Sequence, residues 1–227
     1  MNPRWQKAQR AEVEYHKTKS PGNPDDCMKA FKIDFPLGKV LEIGCSPTSA
    51  IHYLEADFRV GLDPLAVAFA QDYPPMNHVA AIGESLPFPD AVFDTVLCLN
   101  VLDHAMNPGR ILSEIARVSK PTSRILVVVN VFRLTKAARK ILGFMDAEHP
   151  WHFNENEVHH LISINRILEL SSKVTEIESG NSKTKVARIL GLARLNVRCI
   201  PDYADKEPNH DAGDAQYKST DPKRPGS

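Results

Sequence analysis

Lys39-Val40-Leu41-Glu42-Ile43-Gly44 is the stretch on which the fold turns. It is a short apolar run, partly β-branched, that ends in glycine, and the segment from Ser49 to Ala56 behind it has helix-compatible composition. Such a run reads as strand, loop and helix. The pattern then recurs. Phe58 to Leu62 reads as a strand, Pro64 to Gln71 as a helix opened by proline, Asn77 to Ile82 as a short strand, and Val92 to Leu99 as a strand apolar enough to be covered on both faces. Between Asn107 and Ser119, Ile111, Leu112, Ile115 and Val118 recur at helical spacing, with Arg110, Glu114 and Arg117 between them. Arg124 to Asn130 follows as a central strand. Alternating strands and helices imply a mostly parallel sheet with helices on both faces, a Rossmann-like α/β fold.

The flanks complete an organisation in three parts. Residues 1–37 read as a helical arm or lid, interrupted by Ser20-Pro21-Gly22-Asn23-Pro24, a cluster of turn formers. Residues 38–199 form the α/β domain. Near its end Asn154 can cap a helix, with Glu157 at capping-box spacing. Strands over Arg166–Glu176 and Lys185–Val197 are joined by a turn at Ser179-Gly180-Asn181-Ser182, which makes them an antiparallel C-terminal hairpin. Residues 200–227 contain no Val, Ile, Leu, Met or Phe from Pro201 onward and read as a disordered polar tail.

Composition narrows the function. Twenty-eight basic and 28 acidic residues among 227 cancel, so no global field recruits nucleic acid or anionic lipid. Cys27, Cys45, Cys98 and Cys199 form no C-x-x-C pair, which leaves neither a zinc knuckle nor a redox dithiol legible, and no metal is expected. No secretory signal and no apolar stretch of membrane-spanning length is visible, so the expectation is a soluble, cytoplasmic protein.

Gly44 stands where a strand-end turn brings the chain against a ligand, and Asp63, 21 residues beyond Glu42, ends the second strand, where a carboxylate can accept both hydroxyls of a ribose. The loop runs Gly44-Cys45-Ser46-Pro47-Thr48-Ser49 and lacks the further glycines that let backbone approach a pyrophosphate. A cofactor with a ribose and no phosphates fits better, and S-adenosylmethionine meets that description.

Here the chain resembles the class I S-adenosylmethionine-dependent methyltransferases, in particular the small-molecule branch with the ubiquinone/menaquinone-methyltransferase-like core. The likeness runs from about Lys39 to Asn130. Val40-Leu41-Glu42-Ile43-Gly44-Cys45 looks like the first motif, Gly61-Leu62-Asp63 like the acidic second one, and Gly83 to Asp94 like the segment joining strands three and four. The resemblance implies that Glu42 and the backbone of Gly44 and Cys45 face the methionine part of the cofactor and that Asp63 binds its ribose. It places Gly83 and Glu84 beside the adenine, and Leu99 and Asn100 beside the sulfonium. Ser46 replaces the family's second glycine. Ile82 stands where relatives often carry an aspartate, which leaves adenine recognition to backbone and shape.

The acceptor side is read from the residues. Asp103 and His104 follow the fourth strand and should lie at the carboxyl edge of the sheet, where open α/β sheets bind ligands. His104 is the leading general base, the alternative being that it packs over the cofactor. His149 and His152 are the next candidates, with structural or substrate contact preferred to metal ligation. Tyr15, His16, Lys17 and Lys19 on the arm are either substrate and lid contacts, Tyr15 and His16 foremost, or a solvated charged face. The function expected is methylation of a small molecule at oxygen, nitrogen or carbon. The competing readings are a nicotinamide-dependent oxidoreductase and a non-catalytic binding protein of the same fold.

Overall fold

The computed structural model describes residues 3–18, 36–146, 149–165, 167–177 and 186–195. Helix α1 spans Pro3–Thr18, and strands β1 (Lys39–Ile43), β2 (Phe58–Leu62), β3 (Asn77–Val79) and β4 (Phe93–Leu99) follow. Helix α2 (Pro108–Val118), strand β5 (Ser119–Phe132), helices α3 (Lys136–Met145) and α4 (Glu155–Ile164), and strands β6 (Ile167–Ile177) and β7 (Val186–Leu195) complete the order. One seven-stranded sheet runs β3-β2-β1-β4-β5-β7-β6. The first five are parallel, and β7 pairs antiparallel with β5 and with β6.

This order reverses direction at β1: β2 lies on one side and β4 on the other. The connections leaving the carboxyl ends of β1 and β4 therefore part, and the crevice between them is where doubly wound sheets take ligands. The apolar runs dictate the burial. Leu41, Ile43, Val96, Cys98, Ile125, Val127 and Val129 turn to one face of the sheet, under Ile111, Leu112, Ile115 and Val118 of α2. Val40, Leu97 and Leu126 turn to the other, with Ile51 and Cys45. Each fully buried aliphatic side chain contributes about 1.5–3 kcal/mol relative to exposure.

The caps follow the sequence closely. Asn107 accepts the Arg110 N–H ahead of Pro108, and Asn154 with Glu157 forms the full capping box of α4. Arg139 of α3 is buried, donates to the His152 carbonyl and pairs with Glu157, which ties α3 to the start of α4.

Several expectations need correction. The helix expected over Ser49–Ala56 is a single 3₁₀ turn, Ala50–Tyr53; the Glu42 carboxylate caps its start through the Ile51 N–H, and its end is fixed by Leu54 in extended conformation and by the Arg59 guanidinium, which takes the Ile51, His52 and Leu54 carbonyls. Pro64 to Gln71 forms successive turns rather than a helix. The Asp63 carboxylate accepts the Leu65 N–H, a local bond that satisfies the backbone without helical winding. Strand β3 stops at Val79, short of Ile82, and β5 begins earlier and ends later than expected. Helix α3, with its Thr135 cap, was not expected at all. The Ser20–Pro24 cluster, Lys19, the Ser179–Ser182 turn, the 200–227 tail, Cys27 and Cys199 lie outside the described residues.

Candidate active site

A cavity of about 500 Å³ opens at the carboxyl ends of β1, β2 and β4. Glu42, Gly44, Ser46, Asp63, Gly83, Glu84, Leu99, Asn100, His104 and His149 line it. Its volume is in the range of sites for small ligands, about 300–1,000 Å³.

Gly44 turns the chain with φ +75°, a left-handed backbone at which a Cβ would sit 2.4 Å from Val101 Cγ2. Glycine is required twice there, for the angle and for the space. The amides do not face the cavity as expected. Gly44 and Cys45 both donate to the Leu62 carbonyl, at 2.8 and 3.1 Å, which staples the loop to the end of β2. Gly83 packs its α-carbon where a Cβ would come within 3.0–3.2 Å of Ile43 and Ile111.

Two carboxylates face this space from adjacent strand ends. Glu42 is buried, and loss of solvation pushes its carboxyl up to about 8 despite the Ile51 N–H at 3.0 Å. Asp63 is pushed up to about 7 by the same cause, against the opposing bond from Leu65 N–H. Acids held this far from their solvated state suit a ligand that brings hydroxyl or cationic hydrogen-bond donors. Glu84 braces the loop ahead of α2, accepting the Met106 and Asn107 N–H groups, while its carbonyl accepts from Arg110.

On the β4 side Asn100 takes φ +60°, an angle asparagine tolerates better than most residues. Its side-chain oxygen accepts from Asn130, and its amide nitrogen lies 3.5 Å from His104 Nε2. The His104 and His149 rings face one another at 4.4 Å. His104 Nδ1 lies 3.4 Å from Glu12 of α1, and His149 Nδ1 lies 3.0 Å from the Asp146 carboxylate. The loop carrying His149 is docked by the Trp151 indole, which donates to the Ala105 carbonyl, and by Trp151 N–H on Asp103 O.

Three anticipated site residues do not line the cavity. Cys45 is fully buried, with its thiol turned toward Gly61 and His52. Asp103 is fully buried and accepts the Asn130 amide. His152 is buried against Phe132, and desolvation holds its imidazole below the usual range. Tyr15 does line the cavity, whereas the side chains of His16 and Lys17 lie outside the described residues. The sequence reading missed the α1 face of Ala8, Ala11 and Glu12, and Phe69 beyond β2. The positions 8, 11, 12 and 15 are one helical stripe, a spacing visible in the sequence.

The fold and this cavity define an α/β domain with an open crevice at the point where strand order reverses. Residues 41–127 match the methyltransferase domain family. A demethylmenaquinone methyltransferase of Mycolicibacterium vanbaalenii is 42% identical over 104 residues, which span 40% of this chain and 42% of that protein. An uncharacterized protein of Methanocaldococcus jannaschii is 31% identical over 101 residues, 44% of this chain and 48% of that one. The chain spans less than half the length of the curated relatives it matches. The crystal structure of a putative methyltransferase from Bacillus halodurans superposes with a TM-score of 0.64 at 15% identity, covering 76% of this chain and 98% of that one. Residues 41–127 are thus similar to the methyltransferase domain family, and the fold is shared with solved S-adenosylmethionine-dependent methyltransferases. No helix among the described residues is long and apolar enough to cross a membrane.

Proposed function

We propose that this chain transfers a methyl group from S-adenosylmethionine to an oxygen, nitrogen or carbon of a small molecule. The observation that carries the proposal is the convergence of Asp63, Glu42 and the Gly44 turn on one side of a single cavity, with Asn100, His104 and His149 on the other. The cofactor, when bound, supplies an electrophilic methyl on a sulfonium, so the protein needs no nucleophile of its own.

The residues present suit that group. Asp63 accepts ribose hydroxyls, and ionisation in response to those donors recovers the solvation it lost. Glu42, behind the Gly44 turn, balances the cationic methionine part, while Gly83 and Ile82 offer an apolar edge to the base. Glu84 borders that edge mainly by holding the loop before α2. Leu99 and Asn100 shape the sulfonium side.

His104 and His149 supply the proton chemistry. Each has its Nδ1 beside a carboxylate, Glu12 or Asp146, which fixes the ring; His104 Nε2 meets the Asn100 amide at 3.5 Å, a contact that an acceptor replaces when it binds. Either ring takes the proton from an acceptor O–H or N–H as the methyl arrives. Asp103 acts through Asn130, which also holds Asn100. Helix α1, with Tyr15 and Glu12, covers the mouth and excludes water.

The test is transfer of isotopically labelled methyl from S-adenosylmethionine to fractionated small metabolites. Labelled product that disappears with Asp63→Ala supports the proposal, and labelling of protein or nucleic acid alone refutes the small-molecule acceptor. Stabilisation by NAD(P)H and not by S-adenosylhomocysteine would favour the oxidoreductase reading.

A further inference from the structure

Behind the Gly44 loop, on the side away from the cavity, three donor side chains meet that methyl transfer does not use. Cys45 Sγ, one ring nitrogen of His52 and one of His78 all lie within 4.8 Å of one another. They come from three places in the fold: the loop after β1, the 3₁₀ turn and strand β3. We infer that Cys45, His52 and His78 form a binding site for a single divalent cation of the zinc type.

The distances fit. Tetrahedral zinc, with Zn–S about 2.3 Å and Zn–N about 2.0 Å, separates its sulfur and nitrogen ligands by about 3.6 Å. Cys45 Sγ and His52 Nε2 are 3.8 Å apart. The His52 and His78 ring centroids are 5.5 Å apart at 47°, the spacing of two imidazoles that converge on one ion. In the free protein His52 Nε2–H donates to the Ser46 carbonyl at 3.0 Å and the Cys45 thiol donates to the same oxygen at 3.9 Å, so both ligand protons point at one acceptor; an ion takes their place there, the His52 ring keeping its proton on Nδ1, which is buried without a partner.

An independent feature also points to a ligand. His78 Nε2 is buried without a hydrogen-bond partner. With no protein group on it, Nε2 is open to an ion, and histidine nitrogens of this kind are common metal ligands. Tyr73 stacks on the His78 ring at 3.8 Å and donates to the Cys45 carbonyl, so the ligands are held in place from outside. Gly61 leaves room for them: a Cβ there would fall 2.4 Å from Cys45 Sγ and 3.2 Å from His78 Cδ2.

Binding displaces the Cys45 thiol proton and joins thiolate, imidazoles and carbonyl to the ion. Because Gly44 and Ser46, on either side of Cys45, both line the cavity, the ion braces the cofactor loop from behind. The second donor cluster, Asp103, His104 and His149, belongs to the site already described and serves as the internal control.

The experiment titrates the chelator-stripped full chain with Zn²⁺ alone, in competition with a chromophoric chelator, and with Co²⁺ as an optical probe. One equivalent should bind, and Co²⁺ should develop a thiolate charge-transfer band with the intense visible bands of tetrahedral coordination. His78→Gln should weaken zinc by more than ~100-fold, beyond the 10–100-fold that loss of a supporting residue costs. His149→Ala should leave affinity within about twofold, and Cys45→Ser should abolish the band. If Cys45→Ser does not fold, the wild-type spectrum and His78→Gln decide. Failure to bind, a spectrum without thiolate, or binding lost with His149→Ala and kept with His78→Gln each overturns the site. Cofactor binding measured on the stripped chain stands apart from these outcomes, so the methyltransferase reading is tested separately.

Discussion

Asp63 offers the sharpest quantitative test, because the structure leaves its carboxyl half-titrated near neutrality. Burial holds it at about 7 in the free protein. If ribose hydroxyls donate to it in the complex, the ionised form is favoured and the group returns toward the ordinary carboxylate range, roughly 4. Affinity for S-adenosylhomocysteine then falls about tenfold per unit below pH 7, so binding at pH 5 is about 100-fold weaker than at pH 8, or roughly 2.7 kcal/mol. Below pH 7 binding releases a proton from Asp63. Calorimetry near pH 6 in two buffers of different ionisation enthalpy counts those protons. Asp63→Asn should bind about 1–3 kcal/mol more weakly at pH 8 and release about one proton fewer at pH 6. Equal proton release in a folded Asp63→Asn variant would refute the ribose role, even if affinity changed.

Glu42, held up to about 8 against an unfolded value of 4.5, costs the free protein stability as pH rises through that window and costs nothing below it. Glu42→Gln keeps an acceptor for Ile51 N–H, so it should unfold at higher denaturant than wild type at pH 8.5, by roughly 3–5 kcal/mol, match it near pH 4, and bind cofactor more weakly. Gly44→Ala forces both the φ of +75° and the Val101 contact, so cofactor affinity should drop at least ~10-fold with a stability loss of about 1–3 kcal/mol, read by calorimetry and thermal melts. His104→Ala and His149→Ala should lower turnover, each by about 10²–10⁴-fold for whichever ring is the base, with S-adenosylhomocysteine affinity kept; unchanged rates across pH in both would dismiss them.

The parallel sheet was readable because β4 and β5 carry continuous apolar runs, Val96–Leu99 and Ile125–Val129, and β1 carries Val40, Leu41 and Ile43, and a sheet covered on both faces buries such runs. Asn154 was readable as a cap because a cap is a local bond between residues three apart. The failures were long-range. Nothing near Ser49 shows that the Arg59 guanidinium, on β2, takes the Ile51 and His52 carbonyls that a longer helix would use. Helix α3 escaped notice because what anchors it is Arg139 paired with Glu157, 18 residues on. Among the site residues, Gly44 and Asp63 stand at strand ends, and both line the cavity. Cys45, Asp103 and His152 were drawn in by adjacency to lining residues, but each lies in irregular chain whose side chain turns into the protein, Cys45 toward His52, Asp103 onto Asn130 and His152 against Phe132. The turn at Gly44 brings Cys45 beside His52 and His78, which no ligand spacing in the sequence advertises.

The most direct test is a crystal structure of the chain grown with S-adenosylhomocysteine. The account predicts difference density in the β1–β4 crevice, with both ribose hydroxyls on the Asp63 carboxylate and the sulfur toward His104 and His149. A crevice without ligand at millimolar concentration, or a ligand bound with Asp63 left out of contact, would contradict it.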